Sequence, residues 1–171
     1  MKNIEIRLAE KLTQKEIEHL FHWRERVFPV EGKDFSWAKP KWHLLGFSDG
    51  NLPVAHLGYA DFDISCEDGS VKKVIGVGGV VVRPEAQGQH IPAQLFNYLH
   101  QSSHAKGLSN TFTLFCPSRL EGYYQKQGYV KYEGAFTFLQ NQKLTATSKL
   151  MLMQQGSLIS TNKINIDSEP W

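Results

Sequence analysis

Apolar and polar residues alternate along residues 3–8, and this period of two predicts a half-buried first strand. The pattern then changes to the spacing of an amphipathic helix. Thr13 and Glu16 form a capping box that marks the start of this helix, and Pro29 is expected to end it. Its apolar positions are Ile17, Leu20, Phe21, Val27 and Phe28.

Three strands are predicted next, over residues 42–47, 54–64 and 71–83. Residues 48–51 have the composition of a hairpin turn, and residues 67–69 turn the chain again. The third strand contains Gly76, Gly78 and Gly79. Glycines inside a strand indicate a bulge or a close approach of another group to the backbone.

The second half of the chain is predicted to contain two helices and several short strands. One helix begins near Ile91 and is expected to end at Gly107, and a strand covers residues 111–116. A second helix is predicted between a capping box of Ser118 with Glu121 and a stop at Gly128. Tail strands are expected near residues 129–132, 135–139, 149–153 and 163–166. This order predicts an α+β fold with one mixed sheet.

Composition narrows the class of protein. The chain has 171 residues, 41% of them hydrophobic and 21% charged, which is typical of a single globular domain over residues 1–171. Its net charge of +2 includes no basic run, so no nucleic-acid partner is expected. Cys66 and Cys116 have neither disulfide nor metal-site spacing, so no metal is expected. With neither a leader nor a long apolar stretch, we expect no membrane association and a cytoplasmic location.

The most informative segment is the turn that follows the third strand. The apolar strand end Val80, Val81 and Val82 leads into a turn at residues 87–90, which opens onto the helix at Ile91. Free N–H groups and the positive end of a helix dipole would meet there, an arrangement that suits a pyrophosphate. An ordinary strand-to-helix connection would give the same pattern. No Gly-Lys-Ser/Thr follows, and the glycines precede the strand end, so neither a P-loop nor a dinucleotide motif is present.

This turn resembles the acyl-CoA motif of the GNAT N-acyltransferase superfamily, Gln/Arg-x-x-Gly-x-Gly/Ala after a valine-rich strand. His90 replaces the usual second glycine, and Pro92 replaces Gly/Ala and removes one N–H donor. The resemblance implies acetyl-CoA as co-substrate, without a metal. The residues that it implies for binding acetyl-CoA are Val80, Val81, Val82, Gln87, Gly88, Gln89, His90, Ile91, Pro92 and Ala93.

A second GNAT motif, aromatic-Tyr-x-x-x-Gly-aromatic, is similar to residues 123–129. In the superfamily this tyrosine protonates the departing thiolate, so the resemblance implies that Tyr124 is the catalytic acid. The GNAT fold is a single mixed, mostly antiparallel sheet with helices on both faces and a splayed central strand pair. The resemblance therefore implies that fold for this chain.

Within the superfamily, the chain looks most like the aminoglycoside 2′-N-acetyltransferases and the nodulation-factor N-acyltransferase, which both acylate a sugar amine. The former end in an acidic residue, any residue and a terminal Trp, and this chain ends in Glu169-Pro170-Trp171. Glu31, Glu169 and Trp171 are therefore expected to bind the acceptor. Those enzymes place a glutamate base where this chain has Gly78, which leaves Glu31, His56 and the terminal carboxylate as candidate bases.

We therefore expect an acetyl-CoA-dependent N-acetyltransferase that acts on the primary amine of a small molecule. An amino sugar or aminoglycoside is the expected acceptor. Two alternatives stay open at this point: a non-catalytic acyl-CoA-binding module, and an acyltransferase that acts on a protein or peptide amine. The sequence also leaves a homodimer open.

Overall fold

The computed structural model describes residues 3–171 and shows an α+β fold, with one mixed sheet and four helices in that part of the chain. The strands are β1 Glu5–Ala9, β2 Trp42–Phe47, β3 Ala55–Cys66, β4 Val71–Val82, β5 Thr111–Cys116, β6 Val130–Lys131, β7 Ala135–Gln140, β8 Lys143–Thr145, β9 Met151–Gly156 and β10 Lys163–Ile166. The helices are α1 Gln14–Phe21, α2 Ile91–Gln101, α3 Ser103–Leu108 and α4 Glu121–Gln125.

The long strand β3 organises the sheet. Its first half pairs with β2, its second half with β10, and its other edge with β4. The spatial order is β6-β9-β5-β4-β3-β10-β7-β8, with β1 beside β2. Only β4–β5 and β7–β10 are parallel among the pairs in residues 3–171. The predicted mixed, mostly antiparallel sheet is confirmed.

Helices lie on both faces of the sheet, as predicted. Ala55, Leu57 and Tyr59 of β3 point to the face where α2 packs, in one core with Leu95 and Phe96. Phe21 of α1 packs against His56 on the opposite face, with ring centroids 5.1 Å apart. Alternation along β3 thus gives each helix its own side of the sheet.

The central strands β4 and β5 separate at one end. They pair only from Ile75 with Phe112 to Val77 with Leu114, although β4 continues to Val82 and β5 to Cys116. Beyond Val77, the edge of β4 that faces β5 has no strand partner within residues 3–171. The splayed central pair is therefore confirmed, and it leaves a gap in the middle of the sheet.

The helix boundaries show which local signals were decisive. The Thr13–Glu16 capping box is present, with each side chain bonded to the other residue's backbone N–H. Helix α1 nevertheless ends at Phe21, well before Pro29. The Trp23 indole donates to the Leu20 carbonyl at 2.9 Å, so a side chain just beyond the helix satisfies one of its last carbonyl groups.

Two further predicted boundaries are wrong. Helix α2 ends at Gln101 instead of at Gly107, because Ser102 is extended and its hydroxyl caps the separate helix α3. Ser118 and Glu121 form no capping box, since residues 118–120 form a 3₁₀ turn that leads directly into α4. The stop at Gly128 is confirmed by its positive φ of 87°.

Candidate active site

A bulge in β4 lies beside the gap in the sheet. His56 pairs with Val81 and Gly58 pairs with Gly78, so β4 has one residue more than β3 between these pairs. Gly79 adopts a φ of +61°, which glycine reaches at little steric cost. The bulge predicted from the glycines is confirmed, and it interrupts the ladder where the two central strands diverge.

His56 holds this bulge in place. It is buried, and burial lowers its pKa to about 4, so the ring is neutral at pH 7. Its Nδ1–H donates to the Gly79 carbonyl at 2.6 Å, and its Nε2 accepts from Nδ1–H of His43 at 2.9 Å. Both ring nitrogens are thus engaged, which leaves His56 no free lone pair for a substrate proton.

The hydrogen bond from His56 also orients the next peptide group. In a trans peptide the C=O and the following N–H point in opposite directions. Since the Gly79 carbonyl points towards His56 on β3, the N–H of Val80 points away from β3. It is therefore a backbone donor that does not bond to β3 at the gap.

The predicted pyrophosphate turn has the expected backbone. Gly88 has a φ of +76°, and His90, just before α2, has a left-handed φ of +57°. This conformation explains why glycine is usual at that position in the motif, although histidine tolerates it better than bulkier residues. Pro92 lies in the first turn of α2, where a missing N–H breaks no helical bond.

Hydrogen bonds inside the turn leave its backbone donors available. Gln87 Nε2 donates to the Val82 carbonyl at 3.2 Å, and Gln89 Nε2 donates to the Glu85 carbonyl at 2.9 Å. Within residues 3–171, the N–H groups of Gly88, Gln89 and His90 donate to no backbone carbonyl. Nothing lies within 4 Å of where a Gly88 side chain would begin. An open row of donors at a helix start fits a pyrophosphate.

Tyr124 lies in α4 on the far side of the gap. Its ring is buried and packs edge-on against Phe96, with centroids 6.1 Å apart. Burial raises the pKa of its hydroxyl above the usual value, so the phenol keeps its proton at neutral pH. Tyr124 also lines the large cavity described next.

A cavity of about 630 Å³ opens at the gap between β4 and β5. This volume is within the range of small-molecule sites, about 300–1,000 Å³. Gly78, Gly79 and Val80 form part of its floor, and residues 25–29 and 32–33 form part of its rim. Aromatic side chains make up much of its wall, namely Phe21, Phe28, Phe35, Trp37, Phe62 and Phe115.

The C-terminus of the chain lies in this cavity. A Cβ placed on Gly78 would lie 2.9 Å from the carboxyl carbon of Trp171. The indole of Trp171 is buried against Phe62, with ring centroids 4.3 Å apart, and its Nε1–H donates to the Thr113 carbonyl at 3.3 Å. The main-chain carbonyl carbon of Trp171 is therefore held beside the bulge by an anchored side chain.

Strand β10 delivers the C-terminus to this place. As predicted, Ile164 and Ile166 are buried and fix the last strand to the sheet, where β10 is inserted between β3 and β7. The Pro170 carbonyl then accepts from the Ala38 N–H at 2.7 Å, which joins the tail to the loop at the rim of the cavity. The final residues of the chain are thus ordered by backbone contacts.

The acids expected at the acceptor site lie elsewhere. Glu31 forms a bidentate ion pair with Arg119, at 2.8 and 3.2 Å, and this pair lowers the pKa of the Glu31 carboxyl. Neither Glu31 nor Glu169 lines the cavity. The ion pair instead joins the loop at residues 30–32 to the turn that precedes the helix of Tyr124.

The structure thus brings Val80, Tyr124 and Trp171 to one cavity and leaves Glu31 and Glu169 outside it. The rest of the predicted CoA-binding set continues from β4 along the turn to the start of α2. Sequence reasoning missed His43 and the aromatic wall. The glycine at position 76 was a possible sequence signal that aromatic rings pack against β4. A Cβ there would lie 2.4 Å from the Trp171 ring and 2.6 Å from the Phe62 ring.

The part of the chain that the structure describes is residues 3–171. No group of three or more His, Cys, Asp and Glu side chains there is placed to hold a metal ion. Among the helices in the same residues, none has the length and apolar character needed to cross a bilayer.

Solved structures share this fold at low sequence identity. An acyl-CoA N-acyltransferase from Pseudomonas aeruginosa is 24% identical, with a TM-score of 0.55 over 90% of this chain and 100% of that one. A GNAT family N-acetyltransferase from Escherichia coli, solved in complex with CoA, is 11% identical, with a TM-score of 0.58 over 98% and 91%. An acetyltransferase from Bacillus subtilis, also solved with CoA, is 14% identical, with a TM-score of 0.55 over 91% and 100%.

Sequence comparison identifies the family. No curated protein matches the chain in sequence. Residues 9–131, well over half of the chain, match the family model described as Acetyltransferase (GNAT) domain. The matched region includes the bulged strand β4, the pyrophosphate turn and Tyr124. The chain therefore belongs to the GNAT acetyltransferase family.

Proposed function

We propose that this chain transfers an acetyl group from acetyl-CoA to the primary amine of a small molecule. One observation supports the proposal most strongly. The phenol of Tyr124, which keeps its proton, and the main-chain carbonyl carbon of Trp171 lie at a single cavity at the gap in the sheet, and we propose that Trp171 bears a free carboxylate there. Acyl transfer to an amine needs both a proton donor for the leaving thiolate and a proton acceptor for the attacking nitrogen.

The free edge of β4 supports the donor side of the proposal. No strand within residues 3–171 pairs with residues 78–82 on the β5 side, so their peptide groups can pair with an extended chain that contains amides, such as pantetheine. Beyond this edge the chain continues through the turn at residues 87–90 to the start of α2. The pyrophosphate of acetyl-CoA would bind there, on the N–H groups of Gly88, Gln89 and His90.

Three residues of the cavity each have one role in the proposed acetyl transfer. The Val80 N–H is available for the negative charge that develops on the carbonyl oxygen of the thioester. As the amine nitrogen bonds to the carbonyl carbon, the Trp171 carboxylate accepts the proton that the nitrogen loses. As the carbon–sulfur bond breaks, Tyr124 donates its proton to the sulfur. The products are an N-acetylated amine and free CoA thiol.

The terminal carboxylate is the favoured base among the three candidates. His56 already uses both nitrogens, and Glu31 is paired with Arg119 outside the cavity. Glu31 and Glu169 do not line this cavity, so we assign them no direct contact with the acceptor.

Substitution of Gly88 tests the donor site. Gly88→Glu should reduce acetyl-CoA affinity by at least about tenfold, because it adds a side chain and a negative charge where the pyrophosphate would approach the backbone. Gly69→Glu is the matched control, since Gly69 also has a positive φ and open space, but lies in the hairpin between β3 and β4. Titration of CoA by calorimetry measures both. Equal CoA affinity in the two variants would contradict the assigned site.

Enzyme and binding module can be separated in one experiment. CoA should raise the melting temperature of the protein, and acetyl-CoA with an accepted amine should release free thiol at a rate proportional to protein concentration. A non-catalytic acyl-CoA-binding module would show the first effect without the second for every amine. Thiol release with a peptide amine but with no small amine would instead favour the protein-acylating alternative.

A further inference from the structure

We infer that the acceptor is a primary amine with a single positive charge on an aromatic or otherwise apolar body, of which 2-phenylethylamine is the simplest example. The inference rests on the proposed function and narrows its acceptor. It depends on the charges that line the cavity and on the composition of its walls, which are independent of the motifs that identify the family.

The charges of the cavity do not suit a polycation. Among the described residues, the charged groups that line it are Glu25, Arg26, Lys33 and the proposed carboxylate of Trp171, so negative and positive charges are equal in number. Several ammonium groups could leave water only if several carboxylates replaced their hydration. Two nearby acids are already neutralised, because Glu31 pairs with Arg119 and Asp34 pairs with Lys149 at 3.0 Å.

Only one of these negative groups lies deep in the cavity. Glu25, Arg26 and Lys33 are exposed at the rim, whereas Trp171 is buried next to the bulge. The terminal carboxylate can therefore hold one ammonium group beside the thioester. An acceptor with one amine satisfies that site and leaves no second charge to be placed along the wall.

The rest of the acceptor would contact aromatic rings. Phe21 stacks with Phe28 at 5.9 Å between ring centroids, and Phe35 meets Trp37 edge-on at 6.4 Å. Phe115 continues this wall towards Trp171, at 5.3 Å. Rings offer apolar area and favourable edge-to-face contacts to another ring, whereas the hydroxyl groups of a sugar would have few polar partners there.

An acceptor comparison tests the inference with the intact protein. We expect kcat/KM for 2-phenylethylamine to exceed that for glucosamine, and that for the polyamine spermidine, by at least about tenfold. Turnover of glucosamine or spermidine at an equal or greater kcat/KM would overturn the inference and leave the proposed function intact. Thiol release with another small amine but with none of these three would also overturn the inference, whereas the proposed function would fall only if CoA binds and no amine releases thiol.

Substitution at the rim provides a second readout. Phe28 is 44% exposed, so Phe28→Glu should fold normally while it removes one ring and adds a charge to the wall. We expect kcat/KM for 2-phenylethylamine to fall by about three- to tenfold, and that for glucosamine to change less. Val71→Glu makes the same kind of change at a residue that is 64% exposed and far from the cavity, so it should leave both values unchanged. Equal losses for both amines in Phe28→Glu would contradict the aromatic acceptor.

Discussion

Tyr124→Phe should lower kcat by about 10²–10⁴-fold, the contribution typical of a positioned general acid. The substitution removes only the hydroxyl that protonates the thiolate. The ring that packs against Phe96 and Tyr129 is kept, so the fold and the affinity for CoA should change little. Steady-state thiol release and CoA titration measure the two quantities separately.

The neighbouring residue is the matched control for this experiment. Tyr123 belongs to the same helix and contacts the Tyr124 ring at 4.9 Å, but it does not line the cavity. Tyr123→Phe should therefore retain nearly all of the activity. If Tyr124→Phe also keeps the wild-type kcat, the proton reaches the thiolate by another route and Tyr124 has no catalytic role.

Much of the fold could be predicted from local sequence because its signals depend on near neighbours. The Thr13–Glu16 capping box needs only one helical turn, and it is formed as expected. The alternation of Ile164 and Ile166 placed the last strand at the observed residues 163–166. Gly79 in the middle of a valine-rich strand indicated the bulge, since few other residues adopt its positive φ easily.

The boundaries that failed depend on side-chain hydrogen bonds that hydrophobic periodicity does not encode, one of them from a distant residue. The end of α1 is set by the Trp23 indole and by Arg83, which donates to the His19 carbonyl at 2.9 Å from a residue 64 positions away. The break between α2 and α3 arises because Ser102 can cap a helix as easily as it can continue one. Periodicity alone gives no information about either choice.

In the candidate site, too, the features within one contiguous motif could be predicted from sequence, and those that join distant residues could not. Tyr124 and the pyrophosphate turn lie in contiguous motifs, so sequence reasoning could propose them. The approach of the Trp171 carboxylate to Gly78 joins residues 93 positions apart and depends on β10 being inserted between β3 and β7. Glu31 illustrates the opposite case. Its sequence position looked suitable for binding the acceptor, but its carboxylate forms an ion pair with Arg119, 88 positions away.

Removal of the terminal charge should have the other large effect. A semisynthetic protein that ends in a carboxamide instead of a carboxylate keeps the Trp171 indole, its stacking on Phe62 and its bond to Thr113. It loses the group proposed to hold and deprotonate the amine. We expect kcat/KM for the acceptor to fall by at least about 10²-fold, while the melting temperature and the CoA affinity are retained.

A genetic variant supports the semisynthetic one. One glycine added after Trp171 keeps a terminal carboxylate but moves it away from Gly78, so this protein should lose acceptor activity in the same way. Addition of an amide at the C-terminus of the extended protein should then change little further, because its carboxylate is already displaced.

The most direct measurement is therefore kcat/KM for the acceptor amine in the carboxamide protein, compared at saturating acetyl-CoA with the protein that ends in the Trp171 carboxylate. A loss of at least about 10²-fold, with CoA binding intact, is the result expected if the amine is acylated between Tyr124 and the terminal carboxylate. Equal values in the two proteins would contradict that site, because the amine would then be bound and deprotonated without the Trp171 carboxylate.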